Sequence, residues 1–305
     1  MLGYAPTVKK RERRIFSMKH YILYNPLAGS GRGAADVEKV EALLEGEREA
    51  IDITSIKDYA EFFAGLSEDD EIVLCGGDGT INRFVNNVEG VELKNKIRYY
   101  AAGTGNDFIN DIGKDERAAI IDLDPYIKDL PTVEIDGVSH RFLNGVGYGI
   151  DGYCCEEGDK QRAAGKTNIN YTAIAIKGLL LTYKPTDATV IVDGVEHRFK
   201  KVWIAPTMHG RCYGGGMIPT PDQNRFDPEG KASVMIFHGT GKLKTLMIFP
   251  SIFKGEHVKH TEAVTVLKGN EITVRFDGPR PLQIDGETVL GVTEYTVRTK
   301  VPAKV

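Results

Sequence analysis

Residues 72–80 read Ile-Val-Leu-Cys-Gly-Gly-Asp-Gly-Thr, and this stretch constrains the chain more than any other. Four consecutive apolar residues, Ile72, Val73, Leu74 and Cys75, have the pattern of a strand buried on both faces, as in a parallel sheet covered by helices. The glycines after them let the backbone turn sharply and stand close to a ligand. A side chain at Gly76, Gly77 or Gly79 would block that approach. The N–H groups opening the next helix, over 81–88, carry about half a positive charge of macrodipole, so the favoured ligand is a phosphate. Asp78, set between the glycines, lies where phosphates and their magnesium would arrive. One such turn also serves packing alone in many doubly wound proteins, so its neighbours decide the matter.

Those neighbours repeat the pattern. A strand over 21–24 runs into Asn25-Pro26-Leu27-Ala28-Gly29-Ser30-Gly31-Arg32-Gly33, and Val37, Val40, Leu43 and Leu44 then recur at helical spacing. A strand over 51–54 and a helix over 58–66 follow. After the organising strand comes a fourth, over 97–102, ending in Gly103-Thr104-Gly105-Asn106-Asp107. Strands alternating with helices imply right-handed crossovers and a parallel sheet, which brings three glycine turns to one carboxyl edge, where such sheets bind ligands.

From about residue 130 the texture changes. Asp136-Gly137, Asp193-Gly194, Gly269-Asn270 and Asp285-Gly286 each separate apolar or alternating runs, the short-range mark of antiparallel hairpins. Two helices are expected within this β region, over 169–183 and 242–253. The division reads as an α/β domain over 18–129, with the last strand, 294–305, returning to it, a mostly β domain over 130–293, and a flexible tail over 1–17.

With 305 residues, 41% hydrophobic and 27% charged, the chain has the composition of a folded two-domain protein. Its net charge of −4 argues against nucleic acid as a partner. Cys75, Cys154, Cys155 and Cys212 lack metal or redox spacing, which fits a reducing cytoplasm. The N-terminus has no secretory signal, and its basic run Lys9-Lys10-Arg11-Glu12-Arg13-Arg14 reads as a solvated tail before a start near Met18. No apolar run reaches the roughly 20 residues of a membrane span. The run 246–253 is expected to pack a helix face into the core. The histidines show no metal spacing.

Taken together and in order, Asn25-Pro26 with Gly29-Ser30-Gly31-Arg32, Gly76-Gly77-Asp78-Gly79-Thr80 with Asn82, and Gly103-Thr104-Gly105-Asn106-Asp107 resemble the diacylglycerol kinase catalytic family, which includes soluble bacterial lipid kinases and the sphingosine kinases. The segment 142–151 and Ile284-Asp285-Gly286-Glu287 agree with that family. The resemblance implies an N-terminal parallel, three-layer, Rossmann-like nucleotide domain and a C-terminal antiparallel β-sandwich-like domain with embedded helices. The active site would lie in the cleft between them. It further implies ATP and magnesium as cofactors, a lipid alcohol at a membrane surface as acceptor, and a cytoplasmic protein peripheral to the membrane. Self-association is left open.

By the same resemblance Asn25, Gly29, Ser30, Gly31, Arg32, Gly76, Gly77, Gly79, Thr80, Gly103, Thr104, Asn106 and Glu287 would hold the nucleotide. Asp285 is the first candidate for the base that takes the lipid hydroxyl proton, and Asp78 is the second. Asp107 and Asp151 would form a charge network or meet the substrate, and Asp227 a structural magnesium. Simpler roles stand beside these. Asp78 and Asn106 are also helix-capping residues, Asp285 belongs to the commonest hairpin turn pair, and Asp227 sits in a proline turn. Arg83 stands where the family usually has glutamate, a reversal of charge beside the site. The alternatives are an NAD kinase-like enzyme and a nucleotide-binding relative without catalysis.

Overall fold

A computed structural model describes residues 18–26, 33–103, 105–113, 119–166 and 169–300. The tail over 1–17 and Gly29, Ser30, Gly31, Arg32 and Thr104 therefore lie outside the described residues.

Strands β1 (Lys19–Tyr24), β2 (Glu47–Asp52), β3 (Glu71–Gly76), β4 (Lys96–Ala101) and β5 (Ile121–Asp122) form a first sheet in the order β2-β1-β3-β4-β5. All pairings are parallel except β4 with β5. Alternation along the strands divides the apolar residues between two faces. Ile22, Val73 and Cys75 pack with Val37 and Val40 of helix α1 (Gly33–Leu43) on one side. Leu23, Ile72 and Leu74 pack on the other with Tyr59 and Phe63 of α2 (Tyr59–Ala64) and Phe84 of α3 (Asp78–Asn87). Three layers result, and each fully buried Ile72, Val73 or Leu74 contributes about 1.5–3 kcal/mol. β2 begins earlier than expected, at exposed Glu47, because it is an edge strand and needs no apolar alternation on both faces.

β6 (Thr132–Ile135), β7 (Val138–Arg141), β8 (Gly145–Tyr148), β9 (Thr186–Val192), β10 (Val195–Val202), β11 (Thr207–Met208), β12 (Ala232–Phe237), β13 (Val264–Gly269), β14 (Glu271–Ile284) and β15 (Glu287–Arg298) form a second, antiparallel sheet system. Three of the four expected hairpins are present: Asp136, Asp193 and Asp285 have φ near +50° and are each followed by a glycine at positive φ, the backbone of a type I′ turn. Gly269-Asn270 is different. β13 pairs with β12, and β14 with β15, β8 and β9, so this pair links two strands that are not partners.

Two further corrections concern elements. The last strand does not return to the first sheet, since Glu287–Arg298 pairs with β14 and β6. A helix not expected from the sequence, α6 (Ile150–Ala163), follows β8 directly; α4 (Asp107–Ile112) and α5 (Asp124–Ile127) precede it in the chain. The expected helix over 169–183 is α7 (Tyr171–Lys177) continued by a π-helical turn, Gly178–Thr182. That over 242–253 is α8 (Lys242–Ile248) continued by a 3-10 segment, Phe249–Lys254.

Candidate active site

β1, β3 and β4 are adjacent and parallel, so the loops at their carboxyl ends stand side by side, with Tyr24 paired to Cys75 and Gly76 to Ala101. At the first loop a Cβ on Gly33 would come within 2.3 Å of the Asn25 carbonyl, so the two ends of that loop meet closely. The second and third loops touch. A Cβ on Gly103 would lie 2.6 Å from the Gly77 Cα, and one on Gly76 would lie 2.2 Å from the Thr80 hydroxyl. Gly76, Gly77 and Gly103 are therefore required by packing, not kept small for a ligand alone. Thr80 is buried against Gly76, which gives its side chain an inward, packing position. The Gly76 carbonyl accepts from the Tyr99 hydroxyl (2.9 Å) and the Ala102 N–H (2.8 Å), fixing the strand end.

Gly79 and Gly105 differ from these. No described atom lies within 4 Å of a Cβ built on Gly79, and a Cβ on Gly105 would meet only the Asp78 carboxylate, at 4.0 Å. Both are exposed, and neither has a positive φ. Among the described residues nothing in the fold demands a bare backbone at these two positions.

Asp78 caps a helix, though not its own. Its Oδ2 accepts from the Asp107 N–H (2.8 Å) and its Oδ1 from the Phe108 N–H (3.0 Å), the first donors of α4. The second loop thus holds the third. Asn106 is the residue before α4 but makes no cap; it has φ +48° and donates to the Gly103 carbonyl at 2.8 Å. Its side-chain oxygen is buried and finds no donor among the described residues.

Asp107 reaches the other half of the molecule. Its carboxylate accepts from the N–H groups of Gly215 (2.9 Å) and Gly216 (2.7 Å), in a run where Gly214, Gly215 and Gly216 all have positive φ. Burial and the neighbouring Asp78 push its carboxyl up to about 6, against the two N–H donors, which favour the charged form. Asp111, on the same helix, is buried between Arg225 and Arg211, and the Arg211 Nε lies 2.8 Å from its Oδ1.

Asp285 sits at the tip of the β14–β15 hairpin, with φ +46°. Its Oδ2 accepts from the Asn82 side chain (2.8 Å) and the Leu143 N–H (2.5 Å), and its Oδ1 from the N–H groups of Asn144 (2.8 Å) and Gly145 (3.0 Å). Burial raises its pKa while these donors oppose the rise. Glu287, two residues on, is exposed and lies 3.9 Å from Arg83, so the reversed charge has an acidic partner across the cleft. Arg83 and Glu287 line a cavity of about 250 Å³ with Asn82, Asn86, His140 and Thr288.

Asp151 is not solvated at a strand end. It lies buried in the first turn of α6 against Gly147, where a Cβ would be 1.5 Å from its Oδ2, and accepts from the Gln283 side chain at 2.9 Å. Burial lifts its carboxyl to about 7, with Gln283 offsetting part of the rise. Asp227 closes its own turn: its Oδ1 accepts from the N–H groups of Glu229 (2.9 Å) and Lys231 (3.3 Å). Among the described residues no group of three His, Cys, Asp or Glu side chains gathers there or elsewhere. Asn86, Asn144, Arg225 and Gln283 as second partners escaped the sequence reading, and Asn82 entered it only as part of the second glycine motif; the triple glycine at 214–216 was a visible local signal.

Residues 19–129 match the profile of the diacylglycerol kinase catalytic domain, and residues 144–304, more than half of the chain, that of the YegS C-terminal NAD kinase beta sandwich-like domain. The chain belongs to the diacylglycerol kinase catalytic-domain family. A diacylglycerol kinase of Mycobacterium tuberculosis is 27% identical over 257 residues, covering 80% of this chain and 81% of that protein. One of Bacillus subtilis is 25% identical over 274 residues, covering 87% and 88%. A crystal structure of a diacylglycerol kinase from Bacillus anthracis superposes with a TM-score of 0.58 at 17% identity, over 92% of this chain and 93% of that one, a likeness of fold. The family is one of lipid kinases, and in this member no described helix is long and apolar enough to cross a membrane.

Proposed function

We propose that the protein is an ATP-dependent lipid kinase, transferring the γ-phosphoryl group of Mg-ATP to a lipid hydroxyl such as that of diacylglycerol. The observation that carries this reading is the bare rim of Gly79 and Gly105 beside Asp78, on a loop pair locked together by the Asp78 carboxylate. Transfer through a loose transition state requires mainly positioning and charge neutralisation, which backbone N–H groups and a few carboxylates supply. In this reading Gly76, Gly77, Gly79 and Gly103, with Asn25, Gly29, Ser30, Gly31, Arg32, Thr104 and Asn106, bound the phosphate site. Glu287 and Arg83 meet the nucleotide at the cavity between the halves.

The two candidate bases differ in what their oxygens already do. A carboxylate offers about four lone-pair sites. Asp285 uses all of them on N–H donors, whereas each oxygen of Asp78 takes a single described bond. Asp78 is thus the better acceptor for the hydroxyl proton, and Asp285 a positioning residue that fixes residues 143–145 and Asn82. Asp107, with Asp78 beside it, fits a hydrated magnesium ion, because it keeps a free lone pair on each oxygen and its raised pKa marks a negative charge in need of neutralisation. When bound, the ion supplies neutralisation of phosphate charge.

The test is incubation with γ-labelled ATP, magnesium and a panel of lipid alcohols. Label is expected in a chloroform-soluble product and should fall by at least about 100-fold in Asp78→Asn. Label on NAD alone, or on nothing while ATP still binds, would overturn the reading.

A further inference from the structure

Helix α8 (Lys242–Ile248) and the π-helical turn Gly178–Thr182 lie side by side on one flank of the second sheet. Their inner faces are used: Ile174, Leu179, Ile248, Phe249 and Ile252 are buried in one cluster around Trp203. The outer faces are apolar as well. Leu243 and Met247, one helical turn apart, are 78% and 75% exposed and Leu181 is 70% exposed, with Ile176 and Phe253 also open to solvent. The run 246–253 thus packs only partly into the core. Large exposed apolar side chains on a folded protein are usually scattered singly, and a group of them on adjoining segments marks a contact surface.

The charge of these segments names the occupant. Residues 169–184 and 241–254 contain Lys177, Lys184, Lys242, Lys244 and Lys254 and no Asp or Glu, in a chain with 43 acidic residues and a net charge of −4; Glu262, beyond them, pairs with Lys244 at 3.0 Å, and the group keeps a positive excess. Apolar side chains ringed by lysines suit the headgroup layer of an anionic bilayer. A second copy of the chain fits poorly, because a self-complementary contact would set the same lysines against one another. The face also adjoins α6. Gly178 packs against Tyr153 and Ile150 of α6, the helix whose first turn carries Asp151.

We infer that Leu181, Leu243 and Met247, with the surrounding lysines, dock the protein on an anionic lipid surface. The inference draws its purpose from the lipid kinase reading, yet its test needs no turnover. Full-length protein is sedimented with phosphatidylcholine vesicles, with and without phosphatidylglycerol, in the absence of nucleotide. Binding to the anionic vesicles is expected, weakening as added salt shortens the Debye length. Leu243→Ser with Met247→Ser should lower the vesicle partition coefficient by at least about tenfold, because burial of either side chain is worth about a decade or more. Leu181→Ser alone should lower it by a smaller factor and provides the readout if the double variant does not fold. Both should keep the wild-type rate on a short-chain, dispersed acylglycerol.

Unchanged partition in a folded variant would overturn the inference. So would light scattering that showed the substitutions dissolving a dimer without affecting vesicle binding. Vesicle binding through this face with no lipid phosphorylated would leave the docking standing and remove the kinase reading instead.

Discussion

Asp285 and Asp151 are both acids drawn out of water, and their surroundings treat them differently. Asp285 is met by four N–H donors, so removing its carboxylate leaves those donors without an acceptor. Asp285→Ala is expected to lose about 2–4 kcal/mol of stability in urea unfolding, in part because alanine tolerates φ +46° less well than aspartate. Asp151 is met only by the Gln283 side chain and the Tyr213 hydroxyl among the described residues, and its carboxyl rises to about 7. In the folded chain it holds its proton more tightly than in the unfolded chain, where an aspartate titrates near 4. Unfolding therefore releases a proton between about pH 4 and pH 7, so stability falls as pH rises through that window and levels off above it. Asp151→Asn should flatten this slope, with the melting temperature of the variant gaining on the wild type from pH 5 to about pH 8; parallel curves would refute the assignment. Asp285 stood out in the sequence as a turn residue. Its partners did not, since Asn82 and residues 143–145 are brought to it only by the meeting of the two halves.

The glycine loops separate into those the fold needs and those it does not. Gly77→Ala would press a Cβ to 3.1 Å from the Gly103 Cα and should destabilise the protein by about 1–3 kcal/mol. Gly79→Ala, early in α3 and clear of described atoms, should leave the melting temperature unchanged or slightly higher. It should still weaken ATP binding severalfold or more in calorimetry. Equal ATP affinity in Gly79→Ala would show that no ligand approaches that backbone. Strands β1, β3 and β4 were legible because buried parallel strands are continuous apolar runs, and three hairpins because Asp-Gly fits a type I′ turn. α6 was hidden by its own composition: it opens on Ile150-Asp151-Gly152 and carries two glycines, the first set against the Pro281 carbonyl, where a Cβ would come within 1.9 Å. Helix propensity alone reads such a segment as loop, and packing overrides it. The Gly269-Asn270 pair misled for the converse reason, since turn chemistry does not say which strands will pair.

Among the described residues side chains join the halves through Asn82 and Asn86 to Asp285 and Arg141, Arg83 to Glu287, Asp107 to Gly215 and Gly216, and Asp111 to Arg211 and Arg225. Tyr126 and Phe226 add a ring contact at 5.3 Å. The Asp111–Arg225 pair is buried on both sides, so Arg225→Met is expected to cost about 3–5 kcal/mol and to split a single unfolding transition into two, read by tyrosine and tryptophan fluorescence. A single unshifted transition would show that this pair does not couple the halves. The two-part architecture, a parallel sheet followed by an antiparallel one, was legible from the change in periodicity. The ties were not, because their hydrogen bonds join residues 55 to 203 positions apart.

Among the described residues the backbone passes from the first sheet to the second once, since β15 stays with β14 and β6. Among those residues the far rim of the cleft consequently has no covalent strap, and its aperture is set by a few hydrogen bonds and the ion pairs of Asp111 and Arg83. Widening it to admit a bulky guest would exchange those contacts for water and leave both sheets intact.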